Sequence, residues 1–247
     1  MKVQEPGASR RERLRTLAGA KVGEQTGLFE VPRIVSFDDA RGEIVFERLQ
    51  LTWLREALSR SARSMELVAR VARALAAIHG EMQPPAEAVM VPGSGAGPEP
   101  DVVPLHGDFG MRNVFCLSRS DRLAIIDWSN ADWLGFQADL GPAEVDVAVF
   151  LMSLFQRRLF GPFPIARRHE VASHFLATYG ATAPRGLDLD RLTATVAAAT
   201  PSFNRQTRRR TGALLALGYR HNMLDLRRFL RRLPRGRSAT RSLHSTG

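Results

Sequence analysis

One stretch of this chain constrains the rest: LHGDFGMRNVFCLSRSDRLAIIDW, residues 105–128. It contains two short apolar runs, NVFCL (113–117) and LAIIDW (123–128), joined by the polar turn SRSDR. Short apolar runs bounded by turn chemistry predict a β-hairpin. The loop before the hairpin carries His106, Asp108 and Asn113, and Asp127 stands near the end of the second run. Asp108 and Asn113 are five residues apart across a loop, so both side chains can reach one point. Pairing of the hairpin returns Asp127 to the side of Asn113. Two carboxylates and an amide are hard oxygen donors, and Mg²⁺ is an ion held by one or two carboxylates and completed by substrate phosphates. Taken singly, Asp108 and Asn113 would cap turns and Asp127 would end a strand in solvent. It is their joint spacing that favours a site.

The rest of the composition bounds the setting. A chain of 247 residues, 44% hydrophobic and 24% charged, suits one large globular domain or two small ones and excludes fibres and wholesale disorder. No run approaches the ~20 apolar residues of a membrane span. The longest, Val145 to Phe155, contains Asp146. Glu5, Arg10, Arg11 and Glu12 interrupt any signal-peptide core. The single cysteine, Cys116, cannot form an internal disulfide, which predicts a reducing, cytoplasmic location. The net charge of +10 is unevenly spread: from Arg205 onward twelve arginines face one acid, Asp225, while the preceding chain holds 23 basic and 24 acidic residues. Lys2 and Lys21 are the only lysines. A bias toward arginine codons is the plain explanation of that.

Periodicity orders the remaining elements. Residues 9–18 carry a short helical pattern and 23–30 read as loop. VPRIVSF (31–37) and EIVFERL (43–49), separated by DDARG, predict a first hairpin. MELVARVARALAAIH (65–79) is the clearest helix, with Leu67, Val71, Leu75 and Ile78 at helical spacing. Residues 83–104 hold six prolines and three glycines and read as a surface loop. Helical patterns follow near 145–160, 167–179, 188–199 and 207–233. The order is a small strand-bearing piece and then a mainly helical body with one hairpin.

The HGDxxxxN…IDW pattern formed by His106, Asp108, Asn113 and Asp127, with Asp146 opening an apolar helix, resembles the aminoglycoside phosphotransferase and choline kinase family. That family has a protein-kinase-like fold. The resemblance runs from Val31 to about Tyr179. It implies an α+β, two-lobe architecture, with residues 1–49 a reduced N-terminal lobe and 50–247 a helical C-terminal lobe. It implies ATP or GTP as phosphoryl donor, Mg²⁺, and a small-molecule hydroxyl as acceptor. By the same resemblance Asp108 takes or orients the acceptor's proton, Asn113 and Asp127 bind Mg²⁺, and His106 and Asp146 support the loop. The backbone around Glu47 and Leu49 meets the adenine. MKVQEPGASRRERLRTLA matches the family's lysine strand and the helix after it, so that Lys2 contacts the phosphates and Glu12 holds Lys2. Without the resemblance, Lys2 is a terminal lysine and Glu12 an exposed helix charge.

The family's two leading strands and phosphate-covering loop do not precede Lys2 in this sequence. Beside the phosphotransferase therefore stands an idle nucleotide- or partner-binding module, and behind both a protein-serine kinase, which the HGD form disfavours. Asp132, Asp139 and Glu144 are the acids nearest the loop that an acceptor could meet, while the cationic end argues against a polycationic acceptor. TRRRTGALLALGYRHNMLDLRRFLRRL (207–233) is amphipathic and basic. Its many leucines predict packing on the body, and its arginines (205–241) leave an anionic surface as the other partner. Nucleic acid is disfavoured, because no reading motif or interleaved aromatics accompany the charge. Residues 235–247 read as disordered.

Overall fold

The apolar run after Glu144 is hydrophobic on every face, and such a helix must sit inside the molecule. In the computed structural model this helix, α4 (Glu144–Phe155), is buried almost throughout and forms the centre of the core. The described residues are 2–4, 7–60, 64–88, 102–117, 122–129, 139–156, 165–211 and 213–234. Three helices pack directly on α4, namely α5 (Ile165–Thr182), α6 (Leu189–Thr211) and α7 (Ala213–Arg232), and α3 (Ser64–Glu81) packs along α5. Phe150 of α4 stacks on Phe175 of α5 with centroids 4.2 Å apart. The stripe predicted on α3 is present, centred on Val68, Val71, Leu75 and Ile78, with Leu67 at its half-buried margin. Among the described residues the chain is α+β, with seven helices and three small sheets. No described helix is long and apolar enough to cross a membrane.

The first sheet has the order β1 (Lys2–Val3), β4 (Glu43–Phe46), β3 (Ile34–Asp38), all antiparallel. Its β3–β4 hairpin turns at Gly42, which has φ 64°. A side chain at Gly42 would collide with the Gln4 carbonyl, which passes 1.9 Å from the position of a Cβ. Glycine thus lets the end of β1 dock, with Gln4 N–H donating to Gly42 O at 3.0 Å.

The second sheet has the order β2 (Phe29–Glu30), β8 (Leu123–Ile125), β7 (Val114–Leu117), β5 (Leu51–Trp53). The β7–β8 hairpin forms as the apolar runs predict, pairing Val114 with Ile125. Strand β2 joins β8 in parallel, so residues from both sides of position 49 share this sheet. A third pair, β6 (Val102–Pro104) with β9 (Leu140–Pro142), frames the loop from below.

Three expectations change. Helix α1 runs from Ala8 to Thr26, well beyond 9–18, and β2 follows where a loop was expected. The Pro-rich 83–104 segment contains a 3₁₀ turn at Ala86–Ala88 and strand β6. Helix α6 continues through Pro201 to Thr211 instead of ending near 199. A short helix, α2 (Leu54–Arg60), links β5 to α3. Asp132 and the 235–247 tail lie outside the described residues.

Candidate functional site

The loop between β6 and β7 is held by its own backbone. Asp108 O accepts from Gly110 N–H at 2.7 Å, and Gly110 O accepts from Asn113 N–H at 2.9 Å. This winding brings the Asn113 amide nitrogen to the Asp108 carboxylate, donating to Oδ2 at 2.8 Å and to the Asp108 carbonyl at 2.9 Å. Asn113 O in turn accepts from Ile126 N–H at 3.0 Å, so hairpin register sets Asp127 next to this pair. Arg112, to which the sequence pattern gives no role, donates to Asp108 Oδ2 at 2.5 Å while its side chain stays 51% exposed. In sequence an arginine before an asparagine in a loop carries no signal beyond solvation.

The backbone just before Asp108 is gripped from two sides. Asp146, fully buried in the first turn of α4, accepts from His106 N–H at 2.6 Å and Gly107 N–H at 2.9 Å. His79 of α3 donates its Nε2–H to the same carboxylate at 3.1 Å. A carboxylate can only accept there, and the other ring nitrogen, Nδ1, shares a hydrogen bond with Tyr179 OH at 2.6 Å. Burial pushes the Asp146 carboxyl up, but the His79 hydrogen bond and nearby imidazoles outweigh it and hold Asp146 below its usual range. Burial and the charges of Asp146 and Glu144 push the Tyr179 phenol up.

On the opposite edge Arg15 of α1, itself 2% exposed, donates to Leu105 O at 2.7 Å and His106 O at 2.9 Å and pairs with buried Asp139. Burial lowers the Arg15 guanidinium to about 10 against the pull of Asp146 and Glu12. His106 is wholly buried: its Nδ1 accepts from Asp108 N–H at 3.3 Å and its ring tilts on Trp128 at 4.6 Å. Burial, against the pull of Asp146 and Asp108, depresses its pKa.

The third part comes from the N-terminus. Lys2 Nζ lies 2.9 Å from the Glu12 carboxylate and 2.7 Å from Asp127 Oδ1, and it donates to Ser129 Oγ at 3.0 Å. Glu12 is buried and also accepts from the Gln4 amide at 2.6 Å. Burial pulls the Lys2 ammonium down, but the Asp127 hydrogen bond and both carboxylate charges outweigh it, leaving Lys2 raised. Asp127 is the mirror case: burial pushes it up, while Lys2 and Ser129 pull it below its usual range.

The structure therefore brings together Lys2, Glu12 and Asp127 in one cluster, and Asp108 and Asn113 in a second joined to it through the hairpin. Glu47 stands apart. Its carboxylate accepts from Arg33 N–H at 2.7 Å, beyond the end of the β3–β4 ladder. Leu49 is half-buried in the extended connection from β4 to β5. Of the acids considered for an acceptor, Asp139 is buried against Arg15 and Glu144 is buried and accepts from Asp188 N–H, so neither faces a ligand. Residues 130–138, where a protein-kinase-type segment would begin, lie outside the described residues.

Asp127 and Asn113 are the residues here that could hold a cation. Lys2 and Ser129 both take Asp127 Oδ1, so Oδ2 remains for a cation, and the Asp127 side chain is 38% exposed. The Asn113 nitrogen is committed to Asp108, so the oxygen of this amide is the atom it could offer a cation. Among the described residues no group of three or more His, Cys, Asp or Glu could cage a metal. Two hard oxygens completed by phosphates match the needs of Mg²⁺. Neither a protein-family model nor a curated protein matches this chain.

Proposed function

We propose that the chain is a phosphotransferase of the kinase-like fold, moving the γ-phosphoryl group of ATP or GTP, with Mg²⁺, to a hydroxyl of a small molecule. One observation carries this reading. Lys2, Glu12 and Asp127, drawn from β1, α1 and the chain after β8, meet at 2.9 and 2.7 Å beside the Asp108–Asn113 pair. That is the arrangement the aminoglycoside phosphotransferase and choline kinase resemblance implies, and no single element needs it for its own stability.

In the transfer the acceptor oxygen bonds to the γ-phosphorus as the bond to the β–γ bridging oxygen breaks, and the nucleoside diphosphate leaves. Asp108 orients the acceptor hydroxyl and takes its proton. Asn113 through Oδ1 and Asp127 through Oδ2 would hold Mg²⁺, which when bound neutralises charge on the β- and γ-phosphates. Lys2 would reach the phosphates, fixed by Glu12, and the backbone at Glu47–Leu49 would meet the base. His106 and Asp146 shape the loop without touching substrate.

Asp108→Ala is expected to lower transfer by about 10²–10⁴-fold while leaving nucleotide affinity near wild type. Asp127→Ala is expected to weaken Mg-nucleotide binding itself. Turnover by a panel of hydroxylated small molecules, with nucleotide titrations, checks both. Unchanged turnover in Asp108→Ala would sink the assignment. A nucleotide-binding module without turnover is the second reading. On its side is the Asp108 carboxylate oxygen that already receives Arg112 and Asn113. Thermal stabilisation by Mg-ATP with no transfer to any acceptor would favour it.

A further inference from the structure

Helix α7 has two sides of opposite character. Tyr219, Met223, Leu226 and Leu230 recur three or four residues apart and are buried against the body. The side turned away carries Leu217, Arg220, Leu224, Arg228 and Arg231, again three or four apart, and all are exposed. Leu217 is 60% and Leu224 49% exposed. The other large apolar residues exposed among the described ones, Val3, Leu17, Val35 and Trp53, lie on four different elements, so only α7 displays two in one stripe. Arg232 adds a further exposed cation at the end of the helix. The single acid of α7, Asp225, is half-buried and pairs with His169 at 3.1 Å, away from the stripe. The sequence after α7 adds Arg235, Arg237 and Arg241 and no acid.

A solvated helix face needs arginine but gains nothing from leucine set between the arginines. We infer that the Leu217–Arg231 stripe of α7 docks on an anionic phospholipid surface, with Leu217 and Leu224 entering the acyl boundary and the arginines meeting headgroup phosphates. Nucleic acid fits less well, because a phosphate backbone offers leucines no apolar contact and the stripe carries no stacking aromatic. An acidic peptide would want a groove, whereas this surface is one convex helix. The stripe lies on an element that holds none of the residues proposed for phosphoryl transfer, so it stands or falls independently of that reading.

The test is sedimentation of the full chain with vesicles of phosphatidylcholine alone and of phosphatidylcholine mixed with phosphatidylglycerol. Binding is expected to the mixed vesicles only and to fall steeply with salt. Arg220→Gln/Arg228→Gln/Arg231→Gln is expected to reduce the partition coefficient on the order of 100-fold. Leu217→Gln/Leu224→Gln, which keeps every charge and a similar helix propensity, is expected to reduce it at least about tenfold. Retained helical circular dichroism in both variants excludes misfolding as the cause. Equal binding by the leucine variant and wild type overturns the proposal, as does failure to bind the mixed vesicles. A DNA duplex that binds as tightly as the anionic vesicles, with no dependence on Leu217 and Leu224, assigns the stripe to polyanions instead and also overturns it.

Discussion

Asp127 has φ 60°, the single positive φ of a described residue other than glycine. Holding a non-glycine residue there costs about 1–3 kcal/mol, and such strain persists where surrounding contacts impose it. Here the contacts are Lys2 and Ser129 on Oδ1. Their dependence on pH is set by the two shifts. Asp127 is depressed in the fold, so its contribution is present above its unfolded value and lost as pH falls through the folded one. Lys2 is raised, so its contribution is present below its unfolded value and lost only as pH rises through the folded one. The melting-temperature difference between wild type and Lys2→Met should therefore be flat between about pH 5 and pH 9 and shrink below about pH 4. Both groups are about one-third exposed, so the difference is expected to be small. A difference that closes near neutrality would remove Asp127 as the partner. The Lys2–Glu12 pairing was legible only through the family resemblance, since by themselves the residues read as a terminal lysine and an exposed helix charge. Neither the φ of Asp127 nor the Arg112 ion pair was legible, because each arises from a three-dimensional surrounding that no local pattern records.

At the level of elements, two consecutive peptide units before Asp108 are each held at both ends. Arg15 takes the carbonyls of Leu105 and His106 from α1, while Asp146 takes the amides of His106 and Gly107 from α4. One buried cation and one buried anion thus clamp the polar edges of the same short backbone, and α1 also delivers Glu12 to Lys2. The geometry couples the loop to the helix that carries Glu12. Arg15→Lys replaces a planar fork, which serves the two carbonyls through Nη2 and Asp139 through Nη1, by a single nitrogen on a shorter reach. It is expected to speed hydrogen exchange at His106 and Gly107 while α3 amides keep their protection and, if the proposed phosphoryl transfer holds, to lower turnover more than nucleotide affinity. Exchange at the loop equal to wild type would show that the clamp rests on Asp146 alone. Arg15→Met, which removes the cation paired with buried Asp139, should cost about 3–5 kcal/mol in urea unfolding. Half of α1 was illegible in the sequence for a packing reason. A side chain at Gly19 would lie 2.4 Å from the Trp128 ring and one at Gly23 2.5 Å from the Phe29 carbonyl. Glycines that admit close neighbours are the residues that erase a helical signal.

Over the whole molecule, the helical body was legible because α3, α4 and α5 bury continuous apolar faces, and periodicity reports that directly. The strand pairings were less so. A two-residue strand such as β2 has no period, and β6 and β9 are hidden by proline and glycine. Those short pairings decide how the chain divides. Strand β2 adds in parallel to β8, Phe29 stacks with Trp128 at a centroid distance of 6.4 Å, and Arg15 reaches the loop backbone. The first 49 residues therefore complete the core of the helical body, although their own three-stranded sheet looks separable. A chain beginning at Gln50 would expose the Trp128 and β8 faces and leave Asp139 buried without Arg15. It is expected to retain helical circular dichroism but lose a single cooperative thermal transition and bind an apolar dye, while the full chain unfolds in one step. A sharp transition in the shortened chain, with full wild-type helicity, would mean that the helical body folds alone and that the first 49 residues dock onto it as a separate unit.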